Sequence, residues 1–402
     1  MQFLKEPQTG SFFKKIKMKY CKILFIILLG SCSFKESIYN TDDLEIIKIN
    51  DSESFIEKDF FELFKVDTII ELQFQEDYYL ADIYRLFVLD DAIYALDPML
   101  GNLIRFTYDG KPLNKIGNLG EGPMEMLEIE DFSYDLKNDE LLLASSSSMK
   151  ISRFKPNGEF ISNIKLNDQV DMFFYSKEKM AMSLTYYNSI FKNFGLFNIN
   201  GDSIKTYFPF PSDIFPFSMK MISGHVTKSS SGGFLYNEPA SSIIHYFDYN
   251  GTSYPKYKFE SENDIWPERD KDLIQDFFQT LSTGDLTYLT RYYEESEDFL
   301  FFNINIKKSL LDKKVVDPRI GYYDKKNNKC YVSKKFDGLS RIKGPLYASD
   351  NMFYCWLSKS RIKELSDSNY NWAKSFSKYP FLQVKEKSDL DTPVLIRFSL
   401  YK

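Results

Sequence analysis

One five-residue phrase, an aromatic, two spacers, then Asn or Asp followed by Gly, occurs four times in this chain. It reads Phe106-Thr107-Tyr108-Asp109-Gly110, Phe154-Lys155-Pro156-Asn157-Gly158, Phe197-Asn198-Ile199-Asn200-Gly201 and Phe247-Asp248-Tyr249-Asn250-Gly251. The glycines at 110, 158, 201 and 251 stand 48, 43 and 50 residues apart, the interval of a repeating unit of about 40 to 50 residues made of four strands. Asn-Gly and Asp-Gly suit a two-residue hairpin turn whose central positions need positive φ, because Gly lacks a Cβ and Asn and Asp tolerate that region. The runs on either side, 103–106 and 112–116 or 150–154 and 160–164, alternate in the two-residue rhythm of strands. Repeated radially, such sheets leave only short edges, so the phrase predicts a β-propeller. Four unrelated hairpins in a β-sandwich are the alternative, but irregular sandwiches seldom keep one phrase at so even a step.

Taken in order, four-stranded antiparallel units are predicted at 83–116, 129–166, 171–208 and 218–259. The rhythm then breaks at 267–281, where Leu273, Phe277 and Leu281 fall four apart behind Pro267, the pattern of an amphipathic helix inserted between units. A fifth unit is predicted over 286–333, and a last one from 346 to 400 with a second helical stretch at 360–376. The count reaches six only if residues 66–74, a strand-like run, pair with the last unit, which would close the ring and hide its open edges. The expected fold is thus all-β, a six-bladed propeller over residues 66–402, with both chain ends sharing one sheet and short helical insertions. The 37 Phe and 28 Tyr of the 402-residue chain suit packing between sheets, since aromatics bury much area and favour strands.

Residues 1–31 read as a targeting segment. Lys14, Lys15, Lys17, Lys19 and Lys22 precede an apolar run at 23–29 and the small pair Gly30-Ser31 ahead of Cys32. Seven apolar residues are too few to cross a bilayer, which takes about 20. Everything the signal needs lies after Met18, so either Met1 or Met18 serves as the start. Leu29-Gly30-Ser31-Cys32 resembles the bacterial lipobox, in which the chain is cut before a cysteine that is then acylated; the alternative is an ordinary secretory peptide with Cys32 incidental. Diacylation of Cys32 would supply the two lipid signals that stable anchoring needs, and export would place the chain in an oxidising compartment. Polar, acidic residues 32–65 are expected to tether the body to the bilayer, with the second half of that stretch able to lie on the body.

Three further places carry a family resemblance. Residues 87–97 lead to Ile104 through Gly110, residues 116–125 (Ile-Gly-Asn-Leu-Gly-Glu-Gly-Pro-Met-Glu) run on to Asp131-Phe132, and residues 391–400, near the C-terminus, read Asp-Thr-Pro-Val-Leu-Ile-Arg-Phe-Ser-Leu. Together they resemble the six-bladed β-propeller lipoproteins, similar to NHL-repeat propellers, that are numerous in the Bacteroides group. Two residues depart from the family's Gly-x-Gly-Pro-Gly-Glu-aromatic loop: Met124 stands in place of Gly and Met126 in place of the aromatic. The resemblance implies the fold and an envelope location, on the periplasmic or the surface face of the outer membrane; it implies no reaction.

Motifs of catalysis are scarce. Removing the six Lys and one Glu of residues 1–31 from 51 basic and 57 acidic residues leaves 45 and 56, a net charge of −11, which repels phosphate backbones and argues against a nucleic-acid partner. With only His225 and His245, no multi-histidine metal centre can form. His245, in an alternating strand, reads as a packed or surface residue, and His225 as a loop residue after Gly224. The chain has no Asp-x-Asp-x-Asp-Gly loop, no Gly-x-Ser-x-Gly elbow and no phosphate-cradling Gly-x-x-x-x-Gly-Lys, so neither metal nor cofactor is expected. The candidate binding loop is Gly117, Gly120, Gly122 and Glu125, whose glycines would let backbone amides approach a ligand or would simply carry the chain between blades. Tyr186-Tyr187 and Tyr292-Tyr293 could stack on sugars or pack in the core. Cys330 and Cys355 could bridge adjacent sheets. The expected role is a non-catalytic, lipid-anchored platform for an envelope protein or glycan ligand, the alternative a glycan lyase or hydrolase with its site in the central funnel.

Overall fold

In a computed structural model, the chain is described over residues 44–49, 63–73, 75–184, 188–210, 224–238, 241–261, 286–310, 313–333, 342–366 and 392–400. Six antiparallel sheets follow one another, and their innermost strands touch in a closed cycle. Blade 1 is Arg85–Val88, Ala92–Asp97, Asn102–Thr107 and Pro112–Ile116, running from the axis outward. Blades 2, 3, 4 and 5 begin at the axis with Asp131–Asp135, Met172–Ser176, His225–Lys228 and Leu286–Glu295. In blade 6, Lys343–Ser349, Met352–Ser358 and Pro393–Leu400 are completed by Phe64–Glu71, which pairs antiparallel with Pro393–Leu400. The predicted closure of the ring by both ends of the chain is therefore present.

Each strand second from the axis is apolar on both faces because each face meets a different neighbour. In Ala92–Asp97, Ile93 and Ala95 pack toward blade 6, while Tyr94 and Leu96 pack toward blade 2. Leu141 and Leu143 of blade 2 turn back to blade 1, and Leu142 and Ala144 turn on to blade 3. Six apolar clusters result, one per junction. Strict alternation thus gives continuous apolar runs, as in any sheet buried on both sides.

The four glycine turns share one geometry, and it is not the two-residue turn expected. The glycines have φ of +85°, +88°, +86° and +85°, but Asp109, Asn157, Asn200 and Asn250 keep negative φ. Gly110 N–H donates to Thr107 O (2.9 Å) and Thr107 N–H to Lys111 O (2.8 Å). The same pair recurs at Lys155 and Glu159, at Asn198 and Asp202, and at Asp248 and Thr252. This is a three-residue loop in which a type I turn is followed by one left-handed glycine. That glycine also touches the blade before it. A Cβ on Gly110 would stand 1.9 Å from Glu71 O, one on Gly158 2.9 Å from Lys115 O, and one on Gly201 2.7 Å from Lys165 O.

Two boundaries move. Glu45–Ile49 forms a fifth, parallel strand on the outer strand of blade 4, Ser253–Ser261, and Ile47 and Ile49 are buried between blades 4 and 5. Phe64, ahead of the expected start at 66, fits edge-on to Tyr322 and Phe353 at 5.5 and 5.1 Å. Part of the stretch assigned to the tether therefore belongs to the propeller. Only Lys359–Ser366 of the second helical stretch is described, and it is helical; the proposed helix at 267–281 lies outside the described residues.

Candidate functional site

At the axis, charge crosses the ring. Arg85 opens the inner strand of blade 1, and its guanidinium donates to Val226 O of blade 4, directly opposite (3.2 Å), and to Phe173 O of blade 3 (3.3 Å). Its Nε faces Asp131 Oδ1 of blade 2 at 3.6 Å, while the other carboxylate oxygen accepts Phe173 N–H (2.9 Å). Burial pushes the Asp131 carboxyl up to about 6 against the opposing pull of Arg85. Beyond it, Glu294 of blade 5 accepts from Thr227 Oγ1 (2.8 Å) and lies 3.7 Å from His225 Nε2. Lys228 spans from blade 4 to blade 6, its ammonium 4.7 Å from the Tyr347 ring centre. Burial lowers the basicity of Lys228, opposed by Glu294 and Asp350. Arg85, Asp131, His225 and Glu294 are all buried, so the axis is filled by ionic and polar groups where a channel would run.

Connections alternate between the two ends of the ring, as they must in antiparallel blades. The glycine turns share one end with the turns that leave the inner strands; the loops between blades share the other with the turns joining second and third strands. Residues 117–130 form such an inter-blade loop at this loop end. Its amides are used internally: Gly120 N–H donates to Met126 O (2.9 Å), and Gly122 N–H to the Glu125 carboxylate (2.9 Å). Glu125 O accepts from Lys150 Nζ (2.5 Å), and Pro123 O from Asn163 Nδ2 (2.9 Å). A Cβ on Gly120 would meet the Glu125 carboxylate at 2.0 Å, and one on Gly117 would stand 3.0 Å from Leu143 Cδ2. The Gly120, Gly122 and Glu125 amides are thus used within the loop, and Glu125 O ties it to blade 2.

The loop turns apolar side chains outward beside Asn118 and Glu121. Leu119, Met124 and Leu127 are exposed, the second by 60%, whereas Met126 is fully buried between blades 1 and 2. Leu119 lies against the turn at Gly101, which exposes Met99 (88%) and Leu100, and Met149 is exposed in the matching turn of blade 2. Glu128 ties that turn to the loop, accepting from Ser147 N–H (2.5 Å) and Ser145 Oγ (3.3 Å). Residues 117–130 contain four Glu and no Lys or Arg. At the glycine-turn end Leu136 is exposed, and Leu113, Ile204 and Ile46 are exposed singly on the outer strands of three different blades.

The remaining candidates separate. His225 is not a loop residue: it starts the inner strand of blade 4 and is buried. His245 is half-buried, edge-on to Phe208 at 4.8 Å. Tyr293 is fully buried and donates to His225 O (3.0 Å), so it offers no stacking face; Tyr186 and Tyr187 lie outside the described residues, as does Cys32. Cys330 and Cys355 are free thiols in different junctions, between blades 4 and 5 and between blades 5 and 6, so the bridge considered for them is not made. Sequence reasoning missed Arg85, Asp131, Lys228 and Glu294. Their one signal is a charged residue inside a short inner-strand run that is otherwise buried.

A domain of unknown function, DUF4934, matches residues 44–398. None of the curated proteins matches the sequence. Among solved structures, a protein of Bacteroides fragilis assigned as exported aligns at 16% identity with a TM-score of 0.70, covering 89% of this chain and all of its own. A member of the duf4221 family from Bacteroides vulgatus aligns at 10% identity and a TM-score of 0.54, covering 84% of this chain and 97% of its own. At these identities the likeness is one of fold.

Proposed function

The chain belongs to the DUF4934 family, and from that premise we propose that it is a non-catalytic, lipid-anchored protein of the cell envelope whose propeller serves as a platform for a partner. One observation carries the reading. The axis, where a propeller enzyme would hold its substrate, carries the buried Arg85, Asp131 and Glu294, each bonded to inner strands of other blades, while the loop end of blades 1 and 2 exposes a connected apolar surface. The leader and Leu29-Gly30-Ser31-Cys32 support anchoring to the outer membrane through Cys32, and the exported relative of the same fold agrees with that location. Labelled palmitate should enter the wild-type chain and fail to enter Cys32→Ala; equal labelling of both would end the anchor assignment. Incubation with a panel of envelope polysaccharides should give no new reducing ends and no unsaturated products.

Lys228 favours a second reading, an enzyme acting at the glycine-turn end of the axis. The Lys228 amine lies 4.7 Å from the Tyr347 ring centre and burial lowers its basicity against the pull of Glu294 and Asp350, the direction that makes a lysine a better proton acceptor. Turnover on any polysaccharide that Lys228→Met abolishes, with melting unchanged, would replace the platform reading with this one.

A further inference from the structure

We infer that the loop end of blades 1 and 2 docks a cationic amphipathic segment of another envelope protein, most simply a helix with an apolar stripe flanked by Lys or Arg. The inference rests on the platform reading above and names the partner's chemistry. Met99, Leu100, Leu119, Met124, Leu127 and Met149 are all exposed and belong to segments in mutual contact: Leu119 on the turn at Gly101, Lys150 on Glu125, Ser147 on Glu128. Exposed apolar residues gathered on one face and rimmed by polar groups mark interaction sites. Three of the six are methionines, whose unbranched, polarizable side chains repack around varied apolar partners.

Charge selects the occupant. Glu121 is exposed inside the patch, and Glu125 and Glu128 are half-buried in the same loop. Residues 117–130 contain no Lys or Arg, and Lys150, which reaches the loop, donates to the Glu125 backbone oxygen. An anionic bilayer or a nucleic acid would be repelled by this surface, and so would a second copy of the same face. A basic amphipathic helix satisfies both the apolar stripe and the acidic rim.

The test uses the full chain in nanodiscs of zwitterionic lipid, with an 18-residue Leu/Lys amphipathic peptide bearing a benzophenone group as probe. Two controls are the same residues scrambled to remove the stripe and a Leu/Glu version. Crosslinks read by mass spectrometry are expected at 98–101, 119–127 and 149, at least tenfold above both controls, and falling with salt. Met99→Ser, Met124→Ser and Leu127→Ser combined should lower that yield at least tenfold with melting unchanged, and Glu121→Gln should lower it and flatten its salt dependence. Crosslinks concentrated at the glycine turns, equal yield from the scrambled peptide, an unaffected triple variant, or recruitment of the protein to anionic vesicles with no response to the peptide would each overturn the inference. None of these outcomes depends on palmitate labelling or on polysaccharide turnover, so failure here and failure of the platform reading remain distinct.

Discussion

The two ends of the ring are built on opposite terms. At the glycine-turn end, backbone meets backbone: Gly110 against Glu71, Gly158 against Lys115, Gly201 against Lys165, each turn seated on the blade before it. Exposed ion pairs such as Lys137 with Glu178 cover the surface there. At the loop end, long connections carry apolar side chains into solvent and acids beside them. One end is constrained by the fold and repeats itself; the other is released from it and varies from blade to blade. Sequence change should therefore cost stability at the first and binding at the second.

The strongest way to break that contrast is Gly110→Ala. A Cβ at 1.9 Å from Glu71 O, on a backbone at φ +85°, forces the closing strand away, and we expect a loss of about 4 kcal/mol or more in chemical denaturation. A loss under about 1 kcal/mol would mean that the turns do not hold the blades together.

Next is Glu295, which closes the junction of blades 4 and 5 near the same end. It accepts from Lys256 Nζ (2.7 Å), Lys325 Nζ (3.3 Å), Ser229 Oγ (2.8 Å) and the Tyr257 hydroxyl. Burial raises its carboxyl, but Lys256 and Lys325 outweigh that and hold it at about 2. The folded value lies below the ordinary 4.5, so its contribution of about 3 kcal/mol is present above pH 4.5 and fades as pH falls toward 2. Glu295→Gln should cost about 3 kcal/mol at pH 7, by leaving two ammoniums without their counter-charge, and less at pH 3.

Asp131 titrates with the opposite sign. Its folded value, about 6, lies above the ordinary 3.8, so the stability it contributes is complete below pH 4 and lost as pH rises through 6, a change of about 3 kcal/mol. Asp131→Asn should remove that slope; an unchanged pH profile between 4 and 6 would show that the carboxyl is not desolvated as described. The smallest effect is expected at the loop end. Met124→Ser should leave the melting temperature where it is, since the side chain is 60% exposed, and a measurable drop would show that the loop end bears load after all.

How much of this was legible follows the same division. Turn glycines advertise themselves because only Gly is comfortable at φ near +85°, so blade count, strand order and ring closure could be read from spacing. The turn type could not, since Asn-Gly serves both a two-residue loop with two positive-φ positions and a three-residue loop with one. Glu45–Ile49 was missed because five residues of mixed charge carry no pattern until an outer strand is there to receive them. At the axis, Arg85 and Val226 are 141 residues apart in sequence, and only the curvature of the ring makes them partners. The glycines of the loop fit either a ligand cradle or a connection between blades, and their spacing gives no sign that Gly120 and Gly122 make room for Glu125. Met124 and Met126, two residues apart, show why side-chain type alone misleads: one faces solvent and the other is wholly buried.

Sheet six draws Phe64–Glu71 from one terminus and Pro393–Leu400 from the other. Such a clasp cannot fasten while the chain is still emerging from the ribosome, because its second half is made last. Until the final strand arrives, the first and fifth sheets each keep an uncovered apolar flank, and the ring closes only when Pro393–Leu400 pairs with Phe64–Glu71.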